Sequence, residues 1–419
     1  MDLKQLTESL RGCPCGRAHT TDVRAVVTGS GLARSAGEVL AANTFPKDIL
    51  LVADRNTLAA AQGVDESVER AGFHIKKRLI YPDLRKADTA DVEKVERESA
   101  GLGGILSVGT GSLNDICRLA AYRRALAFAI FATAPSMDGF ASDTSPITAN
   151  NFKLTLQARQ PSVIMADTKV LAAAPAHLKS AGFGDMIGKF TALADWRAAA
   201  LAAGEYYCPN VARITEQALE KICALAASVT LADERAAGEM FEALVLTGLA
   251  MGFARSVRPA SGAEHVVSHF WECKKLQEGL LSDFHGKKVG VATVAVNSIY
   301  HNMLNHETVE PLPDEPDWPR IRAVYGPGLE EDMMKQNTPA ATAGITGDRL
   351  KEKWPEIRAA ALAVLPGQEQ LTALMRAAGA ATAAREIGVS DTLYEQGLVY
   401  SPYMRRRVTL LRLRPMLGL

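Results

Sequence analysis

Short apolar and β-branched runs alternate with helix-period stretches through the first 165 residues. Val23–Val27, Asp48–Ala53, His74–Leu79, Gly104–Val108 and Ala127–Ala132 read as strands. Helical stretches follow them, to about Ala42, to about Arg70, from Ala90 to Ser99, and to Arg124. Asp48-Ile-Leu-Leu-Val-Ala53 is apolar without alternation, the mark of a strand covered on both faces. This βαβα rhythm predicts a parallel sheet flanked by helices. Beyond about Ala166 the pattern changes. Ile187–Ala203, Thr215–Phe253, Val289–Leu304, Pro355–Leu365 and Glu369–Ala384 have helical periodicity, strand candidates are few, and the proline-rich stretch Pro311–Trp318 reads as a loop. The expected architecture is an α/β Rossmann-like nucleotide-binding domain over residues 1–166 and an all-α domain over 167–419.

A chain of 419 residues is too long for one ordinary core, which agrees with two domains. Its 47 basic and 47 acidic residues cancel, so nothing in the global electrostatics suggests a nucleic-acid or strongly anionic partner. A small anion needs only a local basic pocket. No uninterrupted apolar run approaches the roughly 20 residues of a membrane span. Met1-Asp-Leu-Lys-Gln-Leu6 has no signal-peptide pattern. The six cysteines, sparse and mostly in apolar surroundings, fit free thiols in a reducing cytoplasm. Cys13-Pro-Cys15 with His19 has the form of half a metal knuckle. No second half follows at suitable spacing, and an N-terminal turn is the simpler reading.

Gly109-Thr-Gly-Ser-Leu-Asn-Asp115 lies between an apolar strand and a helix, where backbone amides and a helix N-terminus can meet a pyrophosphate. Like Gly29-Ser-Gly31 it lacks the third glycine of the dinucleotide fingerprint, and a plain tight turn fits as well. Asp54, 23 residues after Gly31, ends a buried strand where a carboxylate can accept from an adenosine ribose. Capping the helix that follows is its other reading. The loop Thr133-Ala-Pro-Ser-Met-Asp-Gly-Phe-Ala-Ser142 follows the next strand and places Thr133, Ser136, Asp138 and Ser142 where nicotinamide and substrate would meet.

Asp185, His265 and His285 together offer one carboxylate oxygen and two imidazole nitrogens, a set suited to zinc, nickel or ferrous iron. Three protein ligands leave one coordination position open, as in catalytic sites. His265 and His269 stand four residues apart and share a helix face. Valine follows His265, so the metalloprotease pattern is absent. His19, His74, His177, His301 and His306 lack such company and read as structural or solvent-facing.

With these segments the chain resembles the sn-glycerol-1-phosphate dehydrogenases, bacterial branch, within the iron-containing alcohol dehydrogenase and dehydroquinate synthase-like superfamily. The motifs are Thr133-Ala-Pro-Ser-Met-Asp-Gly139, Gly182-Phe-Gly-Asp185 with Lys189-Phe-Thr-Ala-Leu-Ala-Asp-Trp196, Arg258-Pro-Ala-Ser-Gly-Ala-Glu-His265 with Ser268-His-Phe-Trp271, and Val324-Tyr-Gly-Pro-Gly328. The resemblance implies catalysis in an interdomain cleft, with Asp185, His265 and His285 as metal ligands. It implies substrate contacts from Asp138, Asp185 and His269. Asp54, Gly109, Thr110, Gly111, Ser112, Asn114, Asp115, Thr133, Ser136 and Ser142 would form the NAD(H) or NADP(H) site. The chain departs from the family at Gly109-Thr-Gly-Ser112, where archaeal members have a run of glycines, and at Val266, often histidine in close relatives. The implied reaction is reduction of dihydroxyacetone phosphate, the metal polarising the carbonyl and the proton arriving through His269 or a water it orients. A cytoplasmic homodimer is implied as well. A glycerol or polyol dehydrogenase, a dehydroquinate synthase-like lyase, and a non-catalytic metal- or nucleotide-sensing protein are the competing expectations.

Overall fold

The computed structural model describes residues 1–419. Its strands are β1 (Ala25–Gly29), β2 (Asp48–Asp54), β3 (His74–Tyr81), β4 (Gly104–Gly109), β5 (Ala127–Ala132), β6 (Thr144–Ala149), β7 (Phe152–Gln157) and β8 (Val163–Asp167). Six form a parallel sheet in the order β1-β8-β5-β4-β2-β3, and β6 pairs with β7 in a separate antiparallel ribbon. Side chains alternate between two cores, as a pleated strand requires. Leu50, Val52, Ile105 and Ile130 join the largest core, which continues into the helices through Phe183, Trp196 and Phe241. Ile49, Leu51, Val108 and Phe131 join a smaller core on the opposite face. Burial on both faces explains why β2 reads as one continuous apolar run.

Every regular element after β8 is helical. The five expected strands are present to within two residues of their expected bounds. Three more escape the pattern. β6 and β7 mix threonine, serine and Pro146 with isolated apolar residues, so no clean alternation shows. β8 has five residues, too few for periodicity to separate it from the helix that follows. It inserts between β1 and β5 and leaves β1 at the sheet edge. Asp167 at its end accepts from the amides of Gly31 and Ala33, both at 3.0 Å, so a protein carboxylate already occupies the Gly29–Gly31 turn.

The stretch read as one helix over Thr215–Phe253 is two, Pro209–Ala224 and Glu234–Ala254, the second capped by Asp233. Glu234–Ala254, its apolar residues interrupted by Glu239 and Glu242, is long and apolar enough to cross a membrane by composition alone, with a mean hydropathy of 1.3 over its most apolar 18 residues. It is a core helix, 83% of those 18 residues being buried inside the fold.

Candidate metal and substrate site

Asp185 lies near the end of the helix Ala176–Ile187, His265 in the first turn of Ala263–Gln277, and His285 at the start of His285–Leu304. Glycines bring these helices together. A Cβ on Gly182 would lie 1.9 Å from the Pro135 carbonyl oxygen, and one on Gly286 1.9 Å from that of Ala181. No side chain fits either gap, so the 176–187 helix seats directly on the loop after β5 and on the 285–304 helix. As a result Nε2 of His265 and Nε2 of His285 lie 3.4 and 3.9 Å from Oδ1 of Asp185. One donor atom from each of the three lies within 4.8 Å of the others. Ligands about 2.1 Å from a shared cation stand roughly 3.4 Å apart in a tetrahedron, so the trio fits one divalent ion.

The surrounding residues prepare these atoms. Glu264 Oε1 lies 2.7 Å from Nδ1 of His265 and accepts from Gly262 N at 2.7 Å, while Oε2 accepts from the Thr191 hydroxyl at 2.6 Å. A carboxylate on Nδ1 holds the proton there and turns the Nε2 lone pair toward Asp185. Burial opposes a charge on His265, but hydrogen bonds to Asp185 and Glu264 outweigh it and raise its pKa. The same carboxylates would favour a metal cation in place of that proton. Burial pushes His285 down to about 3, so its ring is neutral and free to coordinate. Asp195 accepts from Ala263 N at 2.8 Å and steadies the first turn of the His265 helix.

Lys189 is wholly buried between two carboxylates. Its Nζ lies 2.9 Å from Asp185 Oδ1 and 2.6 Å from Asp138 Oδ2, the latter an ion pair without an aligned hydrogen bond. Asp138 N donates to Asp185 Oδ2 at 3.0 Å. Burial works against ionisation of Asp185, yet Lys189 and the two histidines hold its carboxyl well below the usual range. Burial and then the Asp185 charge push Asp138 upward. Lys189 thus holds both carboxylates, and of the two Asp185 is the more readily ionised. Sequence reasoning gave Lys189 no role, although its i, i+4 spacing from Asp185 was the available signal.

A cleft with about 1520 Å³ of empty space, its open mouth included, runs between the strand ends and these helices. Thr110, Gly111, Ser112, Asp115, Ser136, Asp138 and Ser142 line its sheet side; His265, His269 and His285 line the other. Thr110 gives the helix Gly111–Arg123 no side-chain cap, which leaves first-turn amides for an anion. Other expected cofactor residues are engaged in the fold. Asn114 accepts from the Ser107 hydroxyl at 2.8 Å, Thr133 N donates to Gly109 O at 3.3 Å, and Ser142 pairs with Thr144 at 3.0 Å. Asp115, pushed up to about 6 by burial, pairs with Arg118 at 3.0 Å. Asp54 forms a capping box with Thr57, whose amide donates to its Oδ1 at 2.8 Å. The pairing of Ala53 with Val108 nevertheless sets Asp54 beside Gly109.

His269 stacks on His285 with ring centroids 5.6 Å apart, and its Nε2 is buried without a partner. Burial, then His285 and Arg405, hold its pKa well below the usual range, so the ring is neutral. Next to it the cleft turns basic. Lys153 from β7 and Lys288 flank Glu272 at 3.0 and 2.6 Å, and Arg405 and Arg407 complete the wall. Glu272 pairs with the two lysines, while Arg405 and Arg407 make no ion pair with it. Sequence reasoning missed this set because its members come from three distant segments; only Glu272 and Lys288, one turn beyond His269 and His285, were within reach.

Residues 27–175 match the family described as iron-containing alcohol dehydrogenase. The chain is 29% identical over 402 residues to glycerol-1-phosphate dehydrogenase (NAD(P)+) of Geobacillus stearothermophilus, covering 94% of this chain and 93% of that protein. It is 32% identical over 371 residues to the protein of the same name from Geobacillus thermodenitrificans, covering 87% and 86%. Among solved structures, an archaeal halo-thermophilic Red Sea brine pool alcohol dehydrogenase shares the fold, with a TM-score of 0.62 at 15% identity and coverage of 96% and 94%.

Proposed function

The chain belongs to the glycerol-1-phosphate dehydrogenase family, and on that premise we propose that it reversibly reduces dihydroxyacetone phosphate to sn-glycerol 1-phosphate with NADH or NADPH. The basic wall beside the ligand trio carries the choice of substrate: a ketone placed at the trio puts its phosphate against Lys153, Lys288, Arg405 and Arg407. Such charge-assisted contacts suit a phosphate and have no counterpart for a neutral polyol. When bound, the reduced nicotinamide supplies the hydride, and the divalent ion polarises the carbonyl. Asp185, His265 and His285 hold that ion. Lys189 keeps Asp185 ionised and Asp138 in place at the cleft wall. Neutral His269 offers its free Nε2 to a substrate oxygen or to a water that delivers the proton. The first-turn amides of Gly111 and Ser112 receive the dinucleotide phosphates, with Ser136 and Ser142 on the nicotinamide side. With a domain boundary read near residue 166, the cofactor groups belong to one domain and the metal ligands to the other.

The test is NADH oxidation by metal-loaded protein with dihydroxyacetone phosphate, dihydroxyacetone and a heptulosonate phosphate, with chiral analysis of the alcohol. We expect kcat/KM for the phosphorylated ketone to exceed that for dihydroxyacetone by roughly 10²-fold, the scale of hydrogen bonds to a charged group. Equal efficiencies would favour a polyol dehydrogenase, and release of phosphate from the heptulosonate phosphate without net NADH oxidation a lyase. Neither NADH oxidation nor phosphate release would favour a sensor.

His269→Ala should retain the metal and lose about 10²-fold in kcat. His269→Gln, which keeps a neutral hydrogen-bonding side chain, should recover part of that loss. Metal loss in parallel with activity would instead make His269 a ligand.

Asp54 gives a separate prediction. A carboxylate beside the ribose repels the additional phosphate of NADPH. Serine keeps the helix cap, so Asp54→Ser isolates that effect from helix stability. The preference for NADH should narrow, and an unchanged ratio of catalytic efficiencies would leave Asp54 as a cap alone.

A further inference from the structure

We propose that Cys13, Cys15, His19 and Cys208 form a second, structural metal site that binds zinc through three thiolates and one imidazole. The half-knuckle at the N-terminus finds its missing ligand in Cys208, 189 residues beyond His19. One donor atom from each of the four lies within 4.8 Å of the others. Cys13 Sγ stands 3.5 Å from Cys208 Sγ, and Nε2 of His19 stands 3.2 and 3.7 Å from the sulfurs of Cys15 and Cys208. Thiolates about 2.3 Å from zinc sit roughly 3.8 Å apart in a tetrahedron, so these spacings suit one shared ion.

The surroundings are arranged for such an ion. His19 Nδ1 is 2.8 Å from the Phe253 carbonyl oxygen, which can only accept; the proton therefore sits on Nδ1, and the Nε2 lone pair faces the sulfurs. Each sulfur has a donor aimed at it. The Tyr206 hydroxyl reaches Cys15 at 3.3 Å, the Asn210 amide reaches Cys13 at 3.3 Å, and Val211 N reaches Cys208 at 3.5 Å. A neutral thiol is a weak acceptor, whereas a metal-bound thiolate uses such donors. A Cys13–Cys208 disulfide is the rival arrangement, but it leaves Cys15 and His19 pointed at the same spot without purpose. A sulfur-rich set selects zinc over the harder divalent ions. Four protein ligands close the coordination shell, so the role is structural. None of the four lines the catalytic cleft. The ion would pin the N-terminal segment to the starts and ends of core helices: Cys208 caps Pro209–Ala224, and Phe253 lies in the last turn of Glu234–Ala254.

The decisive measurement is the metal content of the full chain, purified under thiol reductant, in an Asp185→Ala, His265→Ala background that removes the first site. One equivalent of zinc should remain. X-ray absorption should show mainly sulfur around it, and cobalt put in its place should give intense thiolate-to-metal charge-transfer bands. Cys208→Ser in the same background should lower zinc from one equivalent to none. A folded, metal-free parent, zinc retained after Cys208→Ser, or a Cys13–Cys208 disulfide in the native protein would each overturn the site. Should Cys208→Ser fail to fold, alkylation of the unsubstituted chain decides. Cys13, Cys15 and Cys208 should be protected until a strong chelator is added, and equal labelling with and without chelator refutes the proposal.

Discussion

Asp185→Ala should abolish turnover and remove one equivalent of metal while the protein stays folded. Asp185 is the only anion of the trio, and its Oδ1 is the atom both histidines face. Without it two neutral imidazoles remain, too weak a set to hold a divalent ion against dilution. Loss of the Lewis acid, worth several kcal/mol, should lower kcat/KM by at least about 10³-fold. The fold should tolerate the change because Lys189 keeps Asp138 as its partner at 2.6 Å. Elemental analysis and circular dichroism on the same preparation separate the outcomes. Metal content equal to that of the unsubstituted protein would show that the ion is held elsewhere.

How much of this was legible beforehand depends on how local each signal is. The strands β2, β4 and β5 were readable because burial on two faces leaves an uninterrupted apolar run between turn residues. β3, at the sheet edge and exposed through its middle, showed apolar residues only toward its two ends. β8 was not, because its place between β1 and β5 is set by pairing with distant strands, Val163 meeting Ala25 on one side and Ala129 on the other, rather than by its own five residues. The ligand trio stood out because histidines at helical spacing beside glycine and lysine are uncommon company. Lys189 was readable in principle, one turn from Asp185, but a buried lysine between two carboxylates looks like any surface lysine until the carboxylates are seen to converge. The same holds for Cys208. Spacing rules find knuckles whose halves are near in sequence, and here the fold closes the gap.

The dual reading of Asp54 shows the limit from another side. Capping and ribose binding ask for the same residue at the same place, the end of a strand before a helix. The structure displays the cap directly, through Thr57. Its neighbour Gly109 keeps the second role open to the test given above.

Lys189→Met should destabilise the metal-free protein by about 3–5 kcal/mol, the cost of leaving buried charge without its partner. The ammonium is fully enclosed and is shared by Asp138 and Asp185, which lie close enough that the Asp185 charge raises Asp138. Methionine fills nearly the same volume, so packing loss is small and the electrostatic effect dominates. Removing one of the two charges should repair part of the damage. Asp138→Asn in the Lys189→Met background should therefore recover a substantial share of the lost stability, a coupling that distant, independent sites would not show. Urea unfolding of the four proteins in this cycle measures it directly. A Lys189→Met variant within about 0.5 kcal/mol of the parent, the range of ordinary surface changes, would mean that the ammonium does not hold the two carboxylates together.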